Sequence, residues 1–146
     1  MPSFGRWKYS VDRDATMLAY EQVDGGGADE CSCSGCRNFR LARAQAFPRD
    51  FLVLLDELGI DALKDAEVSH VARLASGHHI YEGWYHFVGA LEHTGDFPPV
   101  HFGDAFRVWM CHASAPRLPS LKGKPVVQLE FDARVVPWLL DEEELP

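Results

Sequence analysis

The chain has 146 residues, 47% hydrophobic and 25% charged, which suffices for one domain (1–146) with its own core and excludes a disordered or low-complexity majority. Its formal net charge of −8 repels nucleic-acid phosphates and anionic membrane surfaces, so neither is an expected partner. No run approaches the ~20 apolar residues of a membrane span, and the first residues lack the apolar segment of a secretion signal, so the expected compartment is the cytoplasm.

Trp7 to Val11 and Met17 to Val23 are short runs of β-favouring residues separated by Asp12-Arg13-Asp14, and they predict a hairpin or two neighbouring strands. Residues 24–30, with three consecutive glycines, predict a flexible loop that delivers the chain to a cysteine cluster; no Lys-Ser/Thr follows to make it a phosphate loop. From Arg37 to Phe47 the apolar residues Phe39, Leu41, Ala42, Ala44 and Phe47 recur at helical spacing. Pro48 interrupts this helix and suits the first turn of a second, whose stripe Phe51, Leu54, Leu55 and Leu58 ends at Gly59 as a left-handed cap. Asp61 is placed to cap a further turn through Lys64.

Four runs then carry strand patterning: Glu67 to Leu74, His79 to Leu91, Phe106 to His112 and Val126 to Phe131. In the longest, Tyr81, Tyr85, Phe87 and Leu91 share one face while Glu82, Trp84 and His86 share the other. The tail begins apolar at Trp138 and ends in an acidic stretch, 141–146, expected to be solvated. The fold class is therefore α+β, an antiparallel sheet, flat or curled, with a helical pair packed on one side or end.

The chemical signal is Cys31-Ser-Cys33-Ser-Gly-Cys36. In a reducing compartment three thiols within six residues indicate a metal or redox site rather than a disulfide framework. Cys33-x-x-Cys36 has the spacing of a zinc knuckle, and a helix starting near Cys36 would aim its free N–H groups and positive dipole end at the sulfurs. Zinc suits a Cys-rich tetrahedral site, although copper(I) or an iron–sulfur centre shares the ligand type. The fourth ligand is sought among Cys111, whose thiolate would close a structural site, then His86, then His112, with His70, the His78-His79 pair, His93 and His101 as further donors. Cys33 and Cys36 as a redox dithiol, with Cys31 resolving, is the thiol alternative.

His78-His79-Ile-Tyr-Glu82 carries the residue types of a metallohydrolase, but a strand's period of two does not converge them, so a rim of hydrogen-bonded histidines is the favoured reading. Glu82 and His86 share a predicted strand face and are positioned to meet Cys111-His112 on a neighbouring strand. Arg37, Arg40 and Arg43 form a basic helix stripe, read as a face paired with the chain's own carboxylates.

Cys31-x-Cys33-x-x-Cys36-Arg37-Asn38-Phe39, Phe47-Pro48-x-x-Phe51-x-x-Leu54-Leu55-x-x-Leu58-Gly59-Ile60-Asp61, Tyr85-His86-Phe87-Val88-Gly89 and Pro137-Trp138-Leu139-Leu140-Asp141-Glu142 together resemble a family of short uncharacterised bacterial proteins. The resemblance covers about residues 31 to 138 with the stretch that follows, and implies a bacterial cytosolic origin and a purposeful cysteine cluster, without a reaction. The function expected is that of a zinc-binding protein, structural at Cys31, Cys33 and Cys36, with an accessory or partner-binding role. A metal-dependent hydrolase or thiol oxidoreductase using the same cysteines is the alternative, and a small acidic inhibitor or immunity-type protein the third.

Overall fold

The computed structural model describes residues 1–93, 95–113 and 118–146. Among them run β1 (Ser3–Phe4), β2 (Trp7–Val11), α1 (Arg13–Glu21), α2 (Gly27–Glu30), α3 (Ser34–Ala46), α4 (Arg49–Leu58), β3 (Glu67–Arg73), β4 (His79–Leu91), β5 (Val100–His101), β6 (Phe106–His112) and β7 (Val126–Val136). The strands form one antiparallel sheet in the order β1-β2-β4-β7-β6-β5, with β3 also paired to β4. This is the expected α+β class. The sheet curls without closing: Phe4 and Phe102, at opposite ends of the strand order, bring their ring centroids to 6.0 Å.

Alternation sorts the side chains of β4 and β7 cleanly. Tyr81, Tyr85, Phe87, Leu129, Phe131 and Ala133 are buried on the face that receives the helices. Phe39 of α3 and Phe51 of α4 reach Phe131 at 6.2 and 5.8 Å, and Phe106 stacks on it at 5.9 Å, so one ring ties both helices to the centre of the sheet. Gly83 stands opposite Phe131, and a Cβ there would meet the ring and the Glu67 carbonyl at 2.7 Å. The other face carries Glu82, Trp84 and His86 on β4, Asp132, Glu130 and Gln128 on β7, and Arg107, Trp109 and Cys111 on β6, aligned by the pairing register.

The last strand runs past the expected Phe131 to Val136, and two further stretches differ in kind from the sequence expectation. Met17 to Val23, expected as a strand, belongs largely to helix α1, whose N-cap Asp12 accepts from the Ala15 N–H at 3.0 Å. Its buried residues Thr16, Ala19 and Tyr20 follow a three- and four-residue spacing, and that stripe outweighs the β-propensity of the individual residues. Helix α1 covers the part of the β4 edge lying between β3 and β2. Tyr20 Oη donates to the His86 carbonyl at 2.7 Å and accepts from the His86 N–H at 3.3 Å, while Thr16 Oγ1 accepts from Val88 N–H at 3.0 Å. These hydroxyls, with the Asp12 N–H that donates to the Val88 carbonyl at 2.8 Å, thus take over the ladder where no strand pairs.

Segment 24–30, expected as a loop, contains the turn α2 and is packed. Gly27 N–H donates to the Asp65 carbonyl at 2.8 Å, and Ala28 N–H to the Asp65 carboxylate at 3.2 Å. A Cβ on Gly26 would lie 2.5 Å from the Asp65 nitrogen, so here glycine serves close backbone approach. The second helix ends as expected at Gly59, with φ 81°. No described helix is long and apolar enough to cross a membrane.

Candidate metal centre

Helix α3 begins inside the cysteine motif. Cys33 is its N-cap, with a thiol that accepts from the Cys36 N–H at 3.4 Å, and Arg37 N–H donates to the Cys33 carbonyl at 3.1 Å. The tight turn carries Cys36 back beside Cys33, and the extended Cys31 approaches from α2, bringing its sulfur to 3.1 Å from that of Cys33. The bend required for all three thiols to converge is therefore present: their sulfurs lie within 4.8 Å of one another, a group that can hold a metal ion. Cys33 is exposed, Cys31 half-buried and Cys36 buried.

Hydrogen bonding from Cys33, and then from Cys36, lowers the Cys31 pKa below the ordinary thiol value, favouring its thiolate. Burial pushes Cys36 strongly upward, and the neighbouring thiols add to the shift. Ionisation thus starts on the accessible side of the cluster, and a metal displacing the remaining protons would gather the charge at the dipole end of α3.

The residues that follow Cys36 fasten the C-terminal segment over this site. Arg37 pairs with Glu142 and donates to the Ser32 carbonyl at 2.9 Å. Asn38 is fully buried. Its Oδ1 accepts from Leu139 and Leu140 N–H at 2.7 and 3.1 Å, and its Nδ2 donates to the Pro137 carbonyl at 3.1 Å and to Tyr81 Oη at 3.2 Å, which uses its full bonding capacity. Tyr81 Oη in turn donates to the Gly35 carbonyl at 2.8 Å, tying β4 to the first turn of α3. The acidic end of the chain, expected to be solvated, is thereby partly engaged.

The three leading candidates for a fourth ligand lie elsewhere. Cys111 faces Glu130 at 3.7 Å, and His86 Nε2 is bonded to Gln128 Oε1 at 2.9 Å, both on the face away from the helices. His112 is exposed at the end of β6. The register sets Tyr81, beside the cluster, opposite Ala133, and Cys111 opposite Gln128. That is roughly 17 Å of strand at its usual rise. Alternation put Glu82 and His86 on one face, but the strand of Cys111 and His112, expected as a neighbour, is separated from theirs by β7.

The hydrolase-like set does not assemble: His78 and Glu82 are exposed on different elements of the surface, while His79 is buried. Instead His79 Nδ1 meets His70 Nε2 at 2.8 Å and His79 Nε2 meets Glu144 Oε1 at 3.0 Å. This chain links residues separated in sequence by nine and sixty-five positions, and no local motif announces it. The arginine stripe faces the chain's own carboxylates, as expected: beyond Arg37 with Glu142, Arg40 lies 3.8 Å from Asp29 and Arg43 lies 3.6 Å from the buried Asp65.

His86 gives the protein a pH dependence separate from the cysteines. Burial, opposed in part by Gln128 and Glu130, holds this histidine below its ordinary value of 6.5. Its folded pKa is depressed, so its contribution is intact above about pH 6.5, and is lost as pH falls below that toward the folded value, because the unfolded chain binds a proton the native site refuses. Urea titrations of metal-free protein should show a midpoint that declines between about pH 7 and pH 5.5, and a smaller decline in His86→Gln. An identical decline in the variant would assign the slope to other groups.

Compared with family profiles, curated proteins and solved structures, the chain matches none.

Proposed function

We propose that this is a zinc-binding protein of the bacterial cytoplasm whose Cys31–Cys33–Cys36 centre is structural, locking the start of α3 to the segments on either side of it, and whose role is accessory or partner-binding rather than catalytic. The observation that carries this reading is the convergence of three sulfurs within 4.8 Å at the capped N-terminus of a thirteen-residue helix. Zinc is favoured because thiolates suit it, tetrahedral geometry suits a knuckle turn, and it brings no redox chemistry that a structural site must suppress. A phosphate or nucleic-acid role gains no support from the arginine stripe, since those charges are spent on the chain's own carboxylates.

A thiol oxidoreductase is the second reading, favoured by the 3.1 Å approach of Cys31 and Cys33 and by the lowered pKa of Cys31. Elemental analysis of protein purified without a metal-affinity tag separates the two. About one zinc per chain, with thiols that react only after chelation, is expected. Metal-free protein with freely alkylated cysteines, prepared anaerobically and reduced, would replace the structural reading with thiol chemistry.

A further inference from the structure

Three sulfurs leave one position of a tetrahedral ion to be filled. We infer that His70 fills it, an assignment that rests on the metal reading above and completes its ligand set. His70 lies opposite Tyr81 in the β3–β4 register, under the first turn of α3. A Cβ built on Gly35 would lie 3.2 Å from the His70 Cβ, 3.2 Å from Leu145 Cδ1 and 3.9 Å from the Cys33 sulfur, so the histidine, the leucine and the thiol surround one point. The residue in the middle of the Cys33–Cys36 turn is a glycine, and any side chain there would press on the histidine that approaches it. Zinc bonds of about 2.3 Å to sulfur and 2.0 Å to nitrogen set ligand atoms about 3.5 Å apart. The three sulfurs form a group within 4.8 Å that does not include a His70 nitrogen, so ligation by His70 requires the ring and the thiols to draw together on the ion.

The hydrogen-bond chain behind His70 is an independent observation that points the same way. The Glu144 carboxylate only accepts, so the proton of the 3.0 Å contact sits on His79 Nε2. With Nδ1 on the metal, His70 carries its ring proton on Nε2 and donates it to His79 Nδ1 across the 2.8 Å contact. The lone pair of His70 is left on Nδ1, the ring nitrogen nearer its own Cβ. A ligating histidine backed through its other N–H toward a carboxylate is the usual arrangement around a protein-bound metal. The carboxylates close by are already engaged, Glu144 with His79 and Arg73, the latter at 3.2 Å, and Glu142 with Arg37. Ring walls steady the pair: Tyr81 lies edge-on to His70 at 5.2 Å, and Trp138 lies against His79 at 4.9 Å.

The test loads the metal-free full chain anaerobically with one equivalent of zinc for X-ray absorption at the zinc edge, and with cobalt(II) for optical spectra. A first shell of three sulfurs and one imidazole is expected in the native chain. His70→Ala should lose the imidazole scattering and bind zinc more than about tenfold more weakly. His70→Cys should regain tetrahedral binding as a four-sulfur shell, with cobalt bands moved to longer wavelength, which separates a ligand from a packing residue. His112→Ala should match the native chain. An imidazole that persists in His70→Ala, or a native shell without one, overturns the assignment and leaves the metal reading standing. A native chain that takes up no metal overturns both.

Discussion

Cys33→Ser should lose its metal and melt well below the native holoprotein. The substitution is selective because serine caps a helix at least as well as cysteine does, so the start of α3 keeps its bond to the Cys36 N–H while the ion loses a thiolate. Ligand linkage contributes about 4 kcal/mol when free metal stands at 1,000 times its dissociation constant. At about 2 to 4 °C per kcal/mol for a chain of this size, the melting temperature should fall by roughly 8 to 16 °C. Metal-free native protein and metal-free Cys33→Ser should melt together, since the Cys33 thiol is exposed and contributes little packing of its own. Calorimetry with and without chelator gives all four values. A variant that melts with the native holoprotein would leave the centre without a structural role.

Replacing Arg43 by methionine should cost about 3 to 5 kcal/mol in urea unfolding, the usual result of leaving a buried charge without its partner. The Arg43 and Asp65 side chains are 9% and 0% exposed, and they stand 3.6 Å apart, near enough to attract and too far for a direct hydrogen bond. Burial raises the Asp65 pKa, an effect opposed by the Ala28 N–H and then by Arg43. Without the guanidinium the carboxylate is held only by backbone donors. The double variant Arg43→Met/Asp65→Leu should recover part of the loss but not all, because the Ala28 N–H loses its acceptor. Asp65 also receives the Gly27 N–H on its carbonyl, so the damage should reach α2 and the approach to Cys31. A cost below about 1 kcal/mol in the single variant would show that the pair holds nothing in place.

Regular periodicity made much of this fold legible. The strands His79–Leu91 and Phe106–His112 have the bounds read from alternation, and the Phe51, Leu54, Leu55, Leu58 stripe with its terminal glycine describes α4. Helix α1 was hidden because Tyr20 and Val23 favour strands one by one, whereas Asp12 followed by buried positions 16, 19 and 20 is a helix start read over a longer window. Strands β1 and β5 have two residues each, too few to show any period. In the candidate site the cysteines were legible because their spacing is local. His70 was merely one donor among several, since its place beneath Gly35 depends on a strand register and a helix docking that no short window contains. The same holds for Glu144, sixty-five residues from the ring it meets. Asn38 shows the intermediate case: its place after the cysteine motif could be read directly, but its work, gathering Pro137, Leu139 and Leu140, required the chain to return.

The way α1 lies along β4 also bears on how this protein meets copies of itself. A strand of thirteen residues with an open edge is a template on which another chain can add, and β4 leaves its middle uncovered by either β2 or β3. The hydroxyls of Thr16 and Tyr20 occupy the groups an incoming strand would need at His86 and Val88. With the Asp12 N–H on the Val88 carbonyl at 2.8 Å they close the breach without lengthening the sheet, so colloidal safety at its longest strand depends on the start of one nine-residue helix and two of its hydroxyls staying docked.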